Sequence, residues 1–86
     1  MDCIFYRTFV VVLPRVAKTY QRIIGETIRH HRKRLNFSQE QLAEKADLHP
    51  VYIGELERGE ETASVASLIR IAKALGVRVR DLLIDL

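Results

Sequence analysis

Hydrophobic positions along the chain follow two different patterns, which divide the sequence near residue 20. Residues 4–12 are mostly β-branched and aromatic, and Pro14 closes the run. This composition predicts a β-strand. Because an isolated strand needs a partner, we expect residues 1–20 to form an arm that pairs with a second subunit or packs irregularly.

From residue 21 onward, apolar positions recur at helical spacing. Intervals of four, three and four residues predict one face of a first helix, over residues 21–35, formed by Ile24, Ile28, His31 and Leu35. Similar stripes predict four more helices, at residues 39–46, 50–58, 64–75 and 80–86. The predicted fold is therefore all-α, with five helices over residues 21–86 and an N-terminal strand or arm.

Local signals mark the ends of these helices. Ser38 and Gln41 have the spacing of a capping box at the start of the second helix. Asp47 tolerates the positive φ that a tight turn requires. Pro50, which follows His49, suits the first turn of the third helix, where its missing N–H costs nothing.

The second and third predicted helices are short and lie close together in the sequence. A small residue, Ala43, stands where the two helices would approach each other. Around it, a small shared core is predicted from Leu42, Ala46, Leu48, Ile53 and Leu56. This arrangement is typical of a helix-turn-helix, in which two helices cross steeply.

Positive charge is concentrated in the first half of the sequence. Residues 1–37 hold eight Arg and Lys against two acidic residues, whereas residues 38–86 hold six against nine. The densest stretch, IRHHRKRL at residues 28–35, indicates contact with nucleic acid or another acidic surface. A merely solvated basic helix face explains this pattern about as well.

Several other kinds of site are disfavoured. Cys3 is the sole cysteine, which excludes an internal disulfide and is compatible with a reducing compartment. The apolar run from Phe9 to Leu13 is far shorter than the roughly 18 residues that span a bilayer, so we expect a cytoplasmic protein without membrane contact. The adjacent His30 and His31 cannot share a metal as an i, i+4 pair does. We expect no metal, no cofactor and no enzymatic activity.

Three segments occur in a diagnostic order: S-Q-x-x-L-A from Ser38, Y-I-x-x-L-E-R-G from Tyr52, and I-A-K-A-L-G-V from Ile71. With these segments, residues 24–83 resemble the phage-repressor/Cro type (XRE family) of helix-turn-helix domain, which includes small bacterial regulators and restriction-modification controller proteins. The resemblance implies a lambda-repressor-like bundle that binds double-stranded DNA. Three positions depart from the family pattern, which usually has Gly at Asp47, Leu at His31 and a serine cap at Arg80.

The third predicted helix is the expected DNA-reading helix. At about 100° per residue, Ile53 and Leu56 point inward, and the opposite side carries Pro50, Val51, Gly54, Glu55 and Arg58. The resemblance implies that Gln39 holds a phosphate and that Glu57 forms a structural ion pair with Arg32. The predicted DNA-binding residues are Gln39, His49, Pro50, Val51, Tyr52, Gly54, Glu55 and Arg58.

The C-terminal segment is more apolar than a small monomer can bury, which predicts a dimer interface formed by Leu82, Leu83, Ile84 and Leu86. We therefore expect a transcriptional regulator that binds a palindromic operator as a homodimer. The alternative is an antitoxin-like or adaptor module with autoregulatory DNA binding. In that alternative, the N-terminal arm, CIFYRTFVVVL at residues 3–13, adds a strand to the sheet of a protein partner.

Overall fold

The computed structural model describes the backbone of residues 3–84 and the side chains of residues 19–84. Within this part of the chain the secondary structure is helical, without strands. The five helices are α1 (Cys3–Arg34), α2 (Gln39–Ala46), α3 (Pro50–Glu57), α4 (Val65–Leu75) and α5 (Val79–Leu82). The predicted all-α, five-helix architecture is confirmed.

The predicted N-terminal strand is wrong. Cys3–Arg34 is one continuous helix, which includes Pro14 and crosses residue 20 without a break. A lone strand leaves its backbone N–H and C=O groups without partners, whereas a helix pairs them within the segment. The cost of β-branched residues in a helix is only a few tenths of a kcal/mol each, so helix formation overrides their strand preference.

Caps and left-handed residues close the helix ends, and they include the predicted capping box and the predicted turn residue Asp47. At the start of α2, the Ser38 hydroxyl accepts from the Gln41 N–H at 3.0 Å, and Gln41 Oε1 accepts from the Ser38 N–H at 2.7 Å. Asn36 and Asp47 both adopt the left-handed conformation, with φ of 59° and 58°. Ser64 caps α4, and Gly76 ends it with φ of 73°. These caps satisfy backbone groups that helix ends leave without intrahelical partners.

The hydrophobic core lies between α1, the crossed pair α2 and α3, and the two C-terminal helices. Its buried members are Ile28, Leu42, Ala43, Ala46, Ile53, Leu56, Leu68, Ile71, Ala72, Leu75 and Leu82. The predicted face of α1 is buried only in part. Ile28 is fully buried and Ile24 packs against the core, but Leu35 is 45% exposed because α1 has already ended at Arg34.

The C-terminal segment also differs from the prediction. Helix α5 ends at Leu82 instead of continuing to the C-terminus, and its N-cap is Arg78 rather than Arg80. Leu82, which was predicted as an interface residue, is fully buried in the core of its own chain, so its side chain is not exposed to a second subunit. Leu83 is half-buried and Ile84 is 72% exposed, while Leu86 lies outside the described residues.

Candidate nucleic-acid interface

Helices α2 and α3 form the predicted crossed pair. The turn between them is closed by the Leu48 N–H, which donates to the Ala43 carbonyl at 2.8 Å, while Asp47 supplies the left-handed residue. Ala43 is 1% exposed at the crossing, where a larger side chain would separate the helices. The turn therefore fixes the direction in which α3 leaves the core.

Helix α3 has one buried and one exposed side. Ile53 and Leu56 are buried in the core, whereas Val51 is 59% exposed. His49 caps the helix: its Nδ1 accepts from the Val51 N–H at 3.1 Å. In the neutral ring this leaves the proton on Nε2, which is then available as a donor. Pro50 occupies the first turn, as predicted.

Five of the eight predicted DNA-binding residues surround one groove of about 260 Å³ between α2 and α3. Its lining consists of Gln39, Glu40, Pro50, Val51, Gly54 and Arg58. Gly54 forms part of the floor, since a Cβ built there would lie 3.1 Å from Arg58 Nη1 and 3.4 Å from Gln39 Oε1. Gly54 is itself buried under these two side chains, so a larger residue at this position would displace the polar ends of Arg58 and Gln39.

The other three predicted residues do not line this groove. His49 is exposed at the helix start, and Glu55 is half-buried on the same helix. Tyr52 packs against the core, and its hydroxyl donates to the Thr62 carbonyl at 3.4 Å. Tyr52 is thus held by the α3–α4 loop, and the groove gives no support to its predicted role in DNA binding.

Glu57 forms the ion pair with Arg32 that the family resemblance implied. Arg32 Nε donates to Glu57 Oε2 at 2.7 Å and Arg32 Nη2 to Glu57 Oε1 at 3.0 Å, a bidentate geometry. Both side chains are buried, at 10% and 3% exposure. The hydrogen bonds to Glu57 raise the pKa of Arg32, although burial alone would lower it. Glu57 therefore places no free negative charge at the surface.

The same carboxylate also positions Gln39. Gln39 Nε2 donates to Glu57 Oε1 at 3.0 Å. This contact uses one of the two amide N–H groups and leaves the second N–H and Oε1 of Gln39 for a ligand. The buried pair between α1 and α3 thereby fixes a polar group at the groove.

Arg58 has a neighbour that the sequence analysis missed. Its Nε donates to Glu60 Oε2 at 3.0 Å, and both side chains are 56% exposed. This hydrogen bond raises the pKa of Arg58 and lowers the pKa of Glu60. An exposed pair of this kind is screened by salt and contributes little, so Arg58 remains able to contact an anion.

Two further cations beside the groove belong to the basic stretch at residues 28–35, but they were not among the predicted DNA-binding residues. Arg29 and Lys33 line an adjoining cleft, together with Arg32, Gln39, Glu57 and Arg58. Their spacing of four residues on α1 already indicated a shared helix face. What the sequence could not indicate is that this face lies next to Gln39.

The described residues form neither a metal-ligand cluster nor a membrane-spanning helix. Over this part of the chain, no group of three or more His, Cys, Asp and Glu side chains could hold a metal ion. None of the described helices combines the length and the apolarity that crossing a membrane requires.

Comparison with known proteins identifies the fold and its class. The Helix-turn-helix family pattern matches residues 28–82. Control protein C.SmaI of Serratia marcescens is 46% identical over 63 residues, which cover 73% of this chain and 75% of that protein. Control protein C.BamHI of Bacillus amyloliquefaciens is 44% identical over 62 residues, which cover 71% of this chain and 76% of that protein.

Solved structures agree with the sequence relatives. The restriction-modification controller protein C.AhdI from Aeromonas hydrophila superimposes with a TM-score of 0.71 at 32% identity, covering 72% of this chain and 94% of that chain. The clp gene regulator ClgR from Corynebacterium glutamicum superimposes with a TM-score of 0.73 at 33% identity, covering 77% of this chain and 70% of that chain. The chain therefore belongs to the helix-turn-helix family of DNA-binding transcriptional regulators of the XRE, or Cro/C1, type.

Proposed function

We propose that the chain binds a palindromic DNA operator as a homodimer, with α3 of each subunit in the major groove of one half-site. The observation that carries this proposal is the groove beside Val51, flanked by Gln39 and Arg58. An exposed helix face with phosphate-binding groups on both sides suits a duplex, because phosphate contacts position the helix and base contacts give specificity. The role is binding in the cytoplasm, not catalysis.

Phosphate contacts come from the two sides of the groove. Gln39 stands at the first position of α2, where backbone N–H groups and the helix dipole favour an anion. Arg58 follows the end of α3, with its guanidinium above Gly54. These contacts supply affinity for any sequence and make binding dependent on salt.

Base contacts come from the outer side of α3. The Val51 methyl groups can contact the methyl group of thymine, and the Glu55 carboxylate can accept from cytosine N4. The Nε2–H of His49 can donate to guanine or to a phosphate. Each good base contact contributes about 1–3 kcal/mol of discrimination. The favoured half-site thus combines a thymine near Val51 with a cytosine near Glu55.

A homodimer matches both the palindrome and the surface of the subunit. Two copies related by a two-fold axis present two α3 helices to half-sites about one DNA turn apart. Each chain carries a formal charge of +3, so that two copies attract the polyanion from a distance. The exposed Ile84 and its neighbour Leu83 are the apolar groups that we assign to the contact between subunits.

The experiment first selects bound duplexes from a random pool and then compares variants on the selected sequence. Arg58→Ala should weaken binding to all sequences and reduce the slope of log affinity against log salt by about 1. Val51→Ala and Glu55→Ala should instead change the preferred bases. Lys73→Ala is the control, because Lys73 is exposed and lines neither the groove nor the cleft beside it.

Two results would count against this proposal. One is the absence of any enriched sequence after selection with the intact chain. The other is an Arg58→Ala variant with unchanged affinity and salt dependence, which would remove Arg58 from the contact surface.

A further inference from the structure

A basic cleft of about 460 Å³ continues the groove toward α1. It is lined by Arg29, Arg32, Lys33, Gln39, Glu57 and Arg58. Gln39 and Arg58 belong to both the groove and the cleft, so a ligand that follows the surface from Val51 past Gln39 reaches α1.

Two of the four cations that line the cleft are not compensated, because Arg32 pairs with Glu57 and Arg58 with Glu60, which leaves Arg29 and Lys33. The one carboxylate of the lining, Glu57, is engaged by Arg32 through two hydrogen bonds. Arg29 and Lys33 are both exposed, and among the described residues neither has an acidic side chain within ion-pair distance. Four residues apart on α1, they repel each other, and an anion between them would relieve this repulsion.

We infer that Arg29 and Lys33 hold a phosphodiester of the DNA backbone, outside the base pairs that α3 reads. This inference rests on the proposed function, because the ligand in the cleft is a continuation of the duplex in the groove. It extends the contact surface from two helices to three. Arg29 and Lys33 carry no base specificity, since they meet only the charged backbone.

The test measures affinity for the selected duplex and for a scrambled duplex over a series of NaCl concentrations. Arg29→Ala/Lys33→Ala should reduce the slope of log affinity against log salt by about 1–2, since each phosphate contact contributes about 0.9. Affinity at moderate salt should fall by roughly tenfold for both duplexes, so that their ratio stays unchanged. Thermal unfolding should remain as in the wild type, because both side chains are exposed.

Two further variants separate this contact from a general effect of charge. Lys73→Ala/Arg80→Ala removes the same net charge from α4 and α5 at exposed positions that line neither the groove nor the cleft, and should retain the wild-type slope. Arg29→Lys/Lys33→Arg keeps both positive charges and should also retain the wild-type slope of log affinity against log salt. Equal losses of slope in the two alanine pairs would overturn the inference, as would a loss confined to the selected duplex.

A third arm distinguishes the DNA backbone from free phosphate. Inorganic phosphate at the same ionic strength as NaCl should weaken DNA binding no more than NaCl does. A stronger effect of phosphate on the wild type than on Arg29→Ala/Lys33→Ala would identify the cleft as a site for the free ion and overturn the inference. If the wild type binds no duplex, the proposed function fails as well; if it binds and the Arg29→Ala/Lys33→Ala slope is unchanged, only the inference fails.

Discussion

Single polar residues connect the core to the surface that we propose contacts DNA. The Glu57 carboxylate accepts from Arg32 on α1 and from Gln39 on α2, although it is itself almost fully buried. Removing one partner of a buried pair leaves an uncompensated charge, which is far more costly than losing an exposed pair. Glu57 therefore contributes to the position of Gln39 as well as to the packing of α1 against α3.

The stability of the fold should depend on pH through His31. This side chain is half-buried in a cleft between α1 and α5, with Glu26, His30 and Asp81. Burial, followed by the charges of Arg34 and His30, lowers the pKa of His31 from 6.5, while Asp81 acts in the opposite direction.

Because the pKa of His31 is lower in the folded chain, the unfolded chain binds the proton more readily. The free energy of unfolding is therefore highest above about pH 6.5 and decreases as the pH falls below that value. His31→Leu should therefore gain stability relative to the wild type as the pH falls from about 7.5 to 5.5. Urea denaturation at each pH measures this difference. A difference that is constant with pH would contradict the prediction.

At the scale of elements, two glycines have opposite roles. Gly25 lies where α1 crosses α3, and a Cβ there would overlap the Leu56 carbonyl oxygen. Gly54 meets only the flexible ends of Arg58 and Gln39. In a helix without such contacts, replacing a glycine by Ala would raise the free energy of unfolding by about 0.5–1 kcal/mol.

Gly25→Ala should instead destabilise the fold by about 1–3 kcal/mol, because the backbones of α1 and α3 must separate. Gly54→Ala should keep or raise the melting temperature but weaken DNA binding, because its methyl group occupies the floor of the groove. Thermal unfolding and affinity for the selected duplex measure the two effects. A stable Gly25→Ala variant would show that α1 and α3 can move apart at little cost.

The contact that we propose between two whole subunits depends on the exposed side chain of Ile84. Ile84→Asp should shift the protein from dimer to monomer, since burying an unpaired carboxylate is unfavourable. Val65→Asp is the matched control, because Val65 and Ile84 are both 72% exposed. Sedimentation at several protein concentrations measures the change. If Ile84→Asp and the wild type have the same mass, the interface lies elsewhere.

Features that depend on a few neighbouring residues can be predicted from the sequence alone. The capping box at Ser38, the left-handed Asn36 and Asp47, and the glycine stop at Gly76 are set by hydrogen bonds and φ preferences within one or two turns. The order of short helices followed from apolar spacing. The helix-turn-helix pattern, and with it five of the residues around the groove, was therefore predictable.

Features that depend on distant parts of the chain follow from the packing of the helices and could not be predicted. Leu82 is buried, Leu35 is exposed, and Arg29 and Lys33 lie beside Gln39 because separate helices pack in one particular way. The strand preference of the N-terminal segment was overridden because a helix satisfies its own backbone groups, whereas a strand requires a partner. Local conformational preferences contribute tenths of a kcal/mol per residue, whereas burial of a large side chain contributes about 1.5–3 kcal/mol. Packing between helices therefore overrides local preference where the two disagree.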